Sequence, residues 1–312
     1  MNTFTDLNKK IKKKVAHQQD NYMMVEGKPY TLDGESLEGL YVKPIEPKYI
    51  PESQLKAYES KKILGDHETE NGGFIFMFYK TLQNFNELIP DLNKPDIARL
   101  LFLSTYISFE ENKIQYDNGK DISDKDLIDL LRLNRNSYNK FIHKLIDNNI
   151  LLINENDEKY LSPSFCKYGS IDVSKLKSHE IGYIRLFRGT VRVLFNNTPI
   201  RELGRLSTIY LILPYINLAT NIVSYNPEEQ DTEKVEPMPL LELSDMLEYS
   251  DYTKFRQSLY NIKIRNEVAF AFILTDNDKR TMKMVINPNI VFAGNADQLQ
   301  LLKVLFKEIH IK

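Results

Sequence analysis

Three arginines, Arg185, Arg188 and Arg192, stand three and four residues apart. On a helix that spacing gathers them on one face, leaving Ile184, Phe187, Val191 and Leu194 on the other. A planar guanidinium fork matches two oxygens of a phosphate. A surface salt-bridged to the acids between Asn226 and Pro239 fits the same spacing. A second group, Asn136, Asn139, Lys140, His143 and Lys144, lies on the polar side of a segment whose other side is Tyr138, Phe141, Ile142, Leu145 and Ile146. A third, Thr253, Lys254 and Gln257 with Ser250 and Asn261, is backed by Tyr252, Phe255, Leu259 and Ile262, with Arg256 at the flank. Amide, hydroxyl and amine groups on a helix with an apolar back can reach base edges in a major groove, or phosphates. An ordinary wet surface carries the same residue types.

The elements that must hold these groups are legible around the second one. Ser123 suits a helix N-cap with acids in the first turn behind it, and Leu127, Ile128, Leu130 and Leu131 give that helix an apolar side. Asn134 caps the next helix after a short turn, the spacing of a helix-turn-helix. Its apolar residues recur at helical period, one buried stripe. Ile150 to Ile153, a polar turn from Glu155 to Glu158, and Tyr160-Leu161 follow as strand, turn and strand. That turn carries three acids, which phosphates repel, so its tip is expected to point away from any duplex.

The chain repeats itself. The run from Gly73 to Leu82 matches that from Gly182 to Val191, and Tyr106-Ile107 matches Tyr215-Ile216. Asp129 to Asn134 matches Asp245 to Ser250, Tyr138 to Phe141 with Leu145 matches Tyr252 to Phe255 with Leu259, and Leu161 to Ser164 with Gly169-Ser170 matches Ile286 to Asn289 with Gly294-Asn295. Two copies of one domain are expected, 73–170 and 182–295, joined by a linker at 171–181. Each copy is expected to begin with a long apolar helix. A second helix should end at Tyr106-Ile107 or Tyr215-Ile216, followed by a short strand, the helix-turn-helix and the hairpin. Copy two inserts an acidic surface loop, Asn226 to Pro239. Its apolar run Val268 to Leu274 reads as a strand buried on both faces, turned at Asp276-Asn277-Asp278 and returned by Met282 to Ile286.

The flanks are simpler. Residues 1–72 form an arm in which Lys9, Lys10, Lys12, Lys13 and Lys14 read as a solvated helix or a frayed arm, with DNA contact as the other reading. The Gly- and Pro-rich stretch 26–51 reads as extended, and Pro51 opens a short helix ending near Gly65, with a polar break from His67 to Gly73. Residues 296–312 form an amphipathic helix with Leu299, Leu301, Leu302, Leu305 and Phe306 inward. The fold class expected is mainly α with small β wings, α+β, in two tandem winged helix-turn-helix domains.

Composition narrows the function classes. A net charge of −2 argues against wholesale electrostatic binding of nucleic acid, so any such surface must be a local patch. One cysteine, Cys166, excludes an internal disulfide and a cysteine-based zinc site; it reads as core. Five scattered histidines make no metal spacing. Asp117 to Asp121 lacks the alternating ligands of a calcium loop and reads as a turn. No phosphate loop or nucleophile motif appears. No cofactor is expected, nor an enzyme. Neither a membrane span nor a signal peptide is expected, and a cytoplasmic location is.

Gly73-Phe74-Ile75, the helix-turn-helix from Asp129 to Leu145 and the Asn287-Pro288…Ala293-Gly294-Asn295 ending resemble tandem winged-helix proteins encoded by phages and plasmids of low-GC Gram-positive bacteria. Each copy is also similar, more loosely, to the MarR-like winged helix and to the Firmicute plasmid replication-protein family. The resemblance covers about 73–295. It implies double-stranded DNA binding, as a transcription regulator or as a replication initiator recognising origin repeats. The expected contacts are Arg185, Arg188, Arg192, Lys140, Lys144 and Lys254 to phosphates, and Asn136, Asn139, His143, Thr253 and Gln257 near bases. Phe76 and Tyr79, which the copy alignment sets opposite the arginine positions, are expected to be covered by the arm, the C-terminal helix or a second subunit. A homodimer or a host-protein scaffold using that surface is the other class of function to weigh.

Overall fold

The computed structural model describes residues 22–26, 28–31, 34–36, 52–78, 92–171, 183–274 and 281–309. The chain is mixed α+β and falls into two compact units, Met1–Leu55 and Lys56–Lys312. In the first unit β1 (Tyr22–Val25) and β2 (Lys28–Thr31) form an antiparallel hairpin, with Tyr22 opposite Thr31. The lysine cluster Lys9–Lys14 lies outside the described residues.

Helix α1 spans Glu52–Glu70. It does not stop near Gly65, as its glycine suggested; it continues because its last turns are packed. His67 is buried, its ring edge-on to Phe187 with centroids 4.8 Å apart. Its Nε2 lies 2.9 Å from the Pro288 carbonyl. The chain then reverses through Asn71, Gly72 and Gly73, both glycines at φ +76. Here α1 meets the start of a later helix so closely that a Cβ on Gly189 would lie 2.7 Å from the Asn71 oxygen. Only glycine tolerates that approach.

The two apolar runs expected to open each copy as helices are strands, β3 (Phe74–Phe78) and β7 (Tyr183–Phe187). They lie side by side at the centre of a four-stranded antiparallel sheet in the order β12-β7-β3-β6, with β6 at Cys166–Lys167 and β12 at Val291–Phe292. Ile75, Met77, Ile184 and Leu186 are fully buried on one face. Phe74, Phe76, Tyr183 and Arg185 are half-buried on the other. Apolar residues on both faces hide the period-two alternation that marks a strand.

The ladder is symmetric. Phe76 stands directly opposite Arg185, its own counterpart in the sequence repeat. Met77 pairs Cys166 and Leu186 pairs Val291, again counterparts. The sheet therefore reads alike from either edge, the signature of an approximate two-fold axis between Phe76 and Arg185.

In copy one α2 (Lys94–Leu103) ends in a 3-10 turn at Ser104–Tyr106. Then come α3 (Asp124–Leu130), α4 (Arg135–Asp147), β4 (Leu151–Ile153) and β5 (Lys159–Leu161). Copy two has α5 (Arg188–Asn197), α6 (Ser207–Ile212), α7 (Leu240–Met246) and α8 (Tyr252–Tyr260). It then inserts a hairpin, β8 (Lys263–Ile264) with β9 (Glu267–Val268), before β10 (Phe270–Ile273) and β11 (Lys283–Ile286). The short strand expected after Tyr106 or Tyr215 is an isolated bridge in both copies, Ile107 to Ile114 and Ile216 to Val223. β10 is buried on both faces only at its base, since Ile273 and Leu274 are exposed. The turn at Asp276-Asn277-Asp278 and most of the 171–181 linker lie outside the described residues.

Equivalent asparagines knit each copy. Asn112 and Asn221 both take left-handed backbone, φ 60 and 56. Asn112 Nδ2 donates to the Leu161 and Cys166 carbonyls. Asn221 Nδ2 donates to those of Ile286 and Val291. The two copies share one hydrophobic core. A second, smaller core joins Phe187, Phe292 and α1 to α9 (Ala296–Glu308), whose Leu299, Leu302 and Phe306 point in. Leu301, expected inward, is exposed, because the buried stripe of α9 runs along the Leu299, Leu302 and Phe306 side. Among the described residues no helix is long and apolar enough to cross a membrane.

Candidate nucleic-acid interface

Helix α4 is held from behind and from its start. A capping box between Ser123 and Asp126 opens α3. Arg132 turns the chain at φ 57, and the Asn134 side chain accepts from Ser137 N at 2.9 Å to open α4. Tyr138, Phe141, Ile142 and Leu145 are buried. The Tyr138 hydroxyl donates to Asp124 at 2.7 Å, fixing α4 against α3. Asn136, Asn139, Lys140 and His143 are exposed on the opposite side, as is Arg135 in the first turn. The expected spacing did not single out Arg135, although an N-terminal helical residue after an Asn cap is the one nearest to whatever that helix end approaches.

Helix α8 repeats the plan. Glu248 turns the chain at φ 57, and Asp251 caps by accepting from Lys254 N at 3.0 Å. That bond chiefly holds the Asp251 carboxyl below its usual range. Phe255, Leu259 and Ile262 are buried, while Thr253, Lys254, Gln257 and Asn261 are exposed. Lys254 Nζ is 3.6 Å from Asp251, both exposed, a pair of little energetic weight.

Lys144 does not join this surface. It is half-buried and paired at 3.1 Å with Asp96, which also takes Arg99 at 3.2 Å. Nor do the three arginines form one helical face. Arg185 is on strand β7, its guanidinium 5.7 Å from the centroid of the Phe74 ring. Arg188 is buried and donates to the Thr105 carbonyl at 2.8 Å and to Asp117 at 2.7 Å. Arg192 donates to the same carbonyl at 2.6 Å and to Asp117 at 2.5 and 3.0 Å. The Arg192 hydrogen bond is the main reason the Asp117 carboxyl lies below its usual range. The acid that binds them is thus in the turn of copy one, not in the Asn226–Pro239 loop. These two arginines fasten copy two to copy one. Arg132 does the same in reverse, donating to the Phe195 and Thr198 carbonyls at 3.0 and 2.8 Å.

The β4–β5 turn of copy one is less acidic than its composition suggests. Glu158 bonds Lys113 at 2.5 Å, Asn154 at 2.6 Å and Tyr160 at 2.9 Å. Those bonds, the lysine's first, hold its carboxyl at about 2. Of the three acids, Glu155 and Asp157 are exposed and Glu158 is half-buried. Phe76 lies in the central sheet, edge-on to Phe74 and Tyr183 at 4.9 Å each, beside α1; Tyr79 lies outside the described residues. Cys166 is buried in the sheet, and burial pushes its thiol pKa up. Among the described residues no group of His, Cys, Asp or Glu could hold a metal ion.

No family model matches the chain, and no characterised protein or solved structure matches it.

Proposed function

We propose that this protein binds double-stranded DNA through two winged helix-turn-helix units, with α4 and α8 as the helices that enter neighbouring major grooves. The observation that carries the reading is the equivalence of these helices. Each has a buried apolar stripe, a side-chain N-cap and an outward row of amide, hydroxyl and cationic groups. Asn136, Asn139, His143, Thr253 and Gln257 approach base edges; Arg135, Lys140 and Lys254 approach phosphates. The resemblance to tandem winged-helix proteins of phages and plasmids supports a transcription regulator acting by promoter occupancy in a cytoplasmic setting. Iterated repeats beside the gene would favour a replication initiator instead.

Lys140→Glu tests the assignment. Reversing one phosphate-facing charge should weaken binding to any duplex and lower the slope of log affinity against log salt by about 1 or more. Unchanged affinity and slope would remove α4 from the interface. A protein-scaffold reading has one observation in its favour. Leu152 and Ile153 on β4, and Ile273 and Leu274 on the second wing, are exposed apolar residues. No binding to duplex at low salt would move the function to that class.

A further inference from the structure

We propose that one chain of this protein reads a DNA site made of two unequal half-sites in inverted orientation. This rests on the DNA-binding reading above and adds what that reading leaves open, the geometry of the target. β3 and β7 run antiparallel with counterparts Phe76 and Arg185 face to face. Two copies sharing such a ladder are related by a rotation of half a turn, not by a translation along the chain. Whatever direction α4 takes relative to β3, α8 takes relative to β7 after that rotation. If both helices dock in the same manner on one duplex, the duplex segments beneath them are related by the same rotation. Their half-sites are therefore inverted, as for a symmetric dimer.

The relation is rigid. The copies share a core, and the Arg188 and Arg192 bonds to Thr105 and Asp117, with the Arg132 bonds to Phe195 and Thr198, cross between them in both directions. A flexible linker could have let one copy turn over and read a direct repeat; this packing does not.

The half-sites are unequal because the outward rows have diverged. α4 presents Arg135, Asn136, Asn139, Lys140 and His143, with cations at its first turn and middle. α8 presents Thr253, Lys254 and Gln257. Copy two alone adds the β8–β9 hairpin at the C-terminal end of its helix, with Lys263 and Arg265 exposed on it. A single chain therefore gives the site a direction that a true homodimer on a palindrome lacks.

The test uses the full chain and a pool of random duplexes. The selected sequences should contain two different half-motifs, inverted. A duplex with one half-site reversed in place should bind at least about tenfold more weakly, the scale of losing specific base contacts. Asn139→Ala with His143→Ala should relax sequence preference at one half-site only, and Thr253→Ala with Gln257→Ala at the other. Enrichment of direct repeats, of a single half-motif, or of no motif would overturn the proposal while leaving DNA binding intact. Absence of binding to every duplex at low salt would overturn both.

Discussion

Arg188 separates two accounts of the arginines, and Arg188→Ala decides between them. As a phosphate ligand its loss should leave folding alone and reduce the salt slope by about 1. The structure says the reverse. Arg188 is 7% exposed, and its guanidinium makes two charge-assisted hydrogen bonds, to the Thr105 carbonyl at 2.8 Å and to Asp117 at 2.7 Å. It also lies 4.3 Å from the centroid of the Tyr168 ring. Hydrogen bonds to charged groups contribute roughly 1.5–3 kcal/mol each. The Asp117 side chain is 58% exposed, so solvent screening reduces its share. Both acceptors keep Arg192 after the substitution, at 2.6 Å to the carbonyl and 2.5 Å to the carboxylate. No orphaned buried charge is left, which keeps the cost below the roughly 3–5 kcal/mol of a broken buried pair. The expected loss is about 2–3 kcal/mol. Urea unfolding at pH 7 should show it as a lower midpoint, while the salt slope of duplex binding stays at the parent value. A stability change under about 0.5 kcal/mol together with a slope lowered by about 1 would refute the assignment.

His67 should make stability depend on pH, because burial lowers its pKa from 6.5 to about 4. A lowered histidine contributes fully above its unfolded pKa and loses that contribution as pH falls towards the folded value. Between pH 7 and pH 5 the parent should therefore lose roughly 2 kcal/mol more than His67→Gln, measured by urea midpoints; equal losses would show that His67 titrates normally. Asn112→Ala should cost about 3 kcal/mol, since it removes two bonds to buried carbonyls and leaves alanine at φ 60. Asn112→Gly should recover about 1 kcal/mol by relieving the backbone alone, so equal stability of the two variants would contradict the strain. Gly189→Ala should lower thermal stability measurably, because its Cβ would meet the Asn71 oxygen at 2.7 Å; an unchanged midpoint would mean that α1 and α5 separate without cost.

Local patterns were legible wherever the sequence carried both partners of an interaction within a few residues. The caps at Ser123, Asn134 and the stripe of Tyr138, Phe141 and Leu145 belong to this class, and so do the inward and outward residues of α8. The duplication was legible as well, because packing of a repeated unit constrains the same positions twice. The end of α1 was not: its continuation past Gly65 depends on His67 reaching Pro288, far along the chain.

What the sequence by itself determined is therefore the repeat, the caps and apolar stripes of α4 and α8, and the polar row each of these helices presents. Tertiary structure alone decided three things. It made strands of Phe74–Phe78 and Tyr183–Phe187, because a central strand apolar on both faces has no periodicity distinguishing it from a buried helix. It joined those strands at Phe76 and Arg185 and so set the copies by rotation, a relation that no repeat offset encodes. And it turned Arg188 and Arg192 inward while leaving Arg135 and Lys140 outward. A cation's spacing tells which helix face it occupies, but whether a carboxylate waits there depends on a residue brought from another part of the chain.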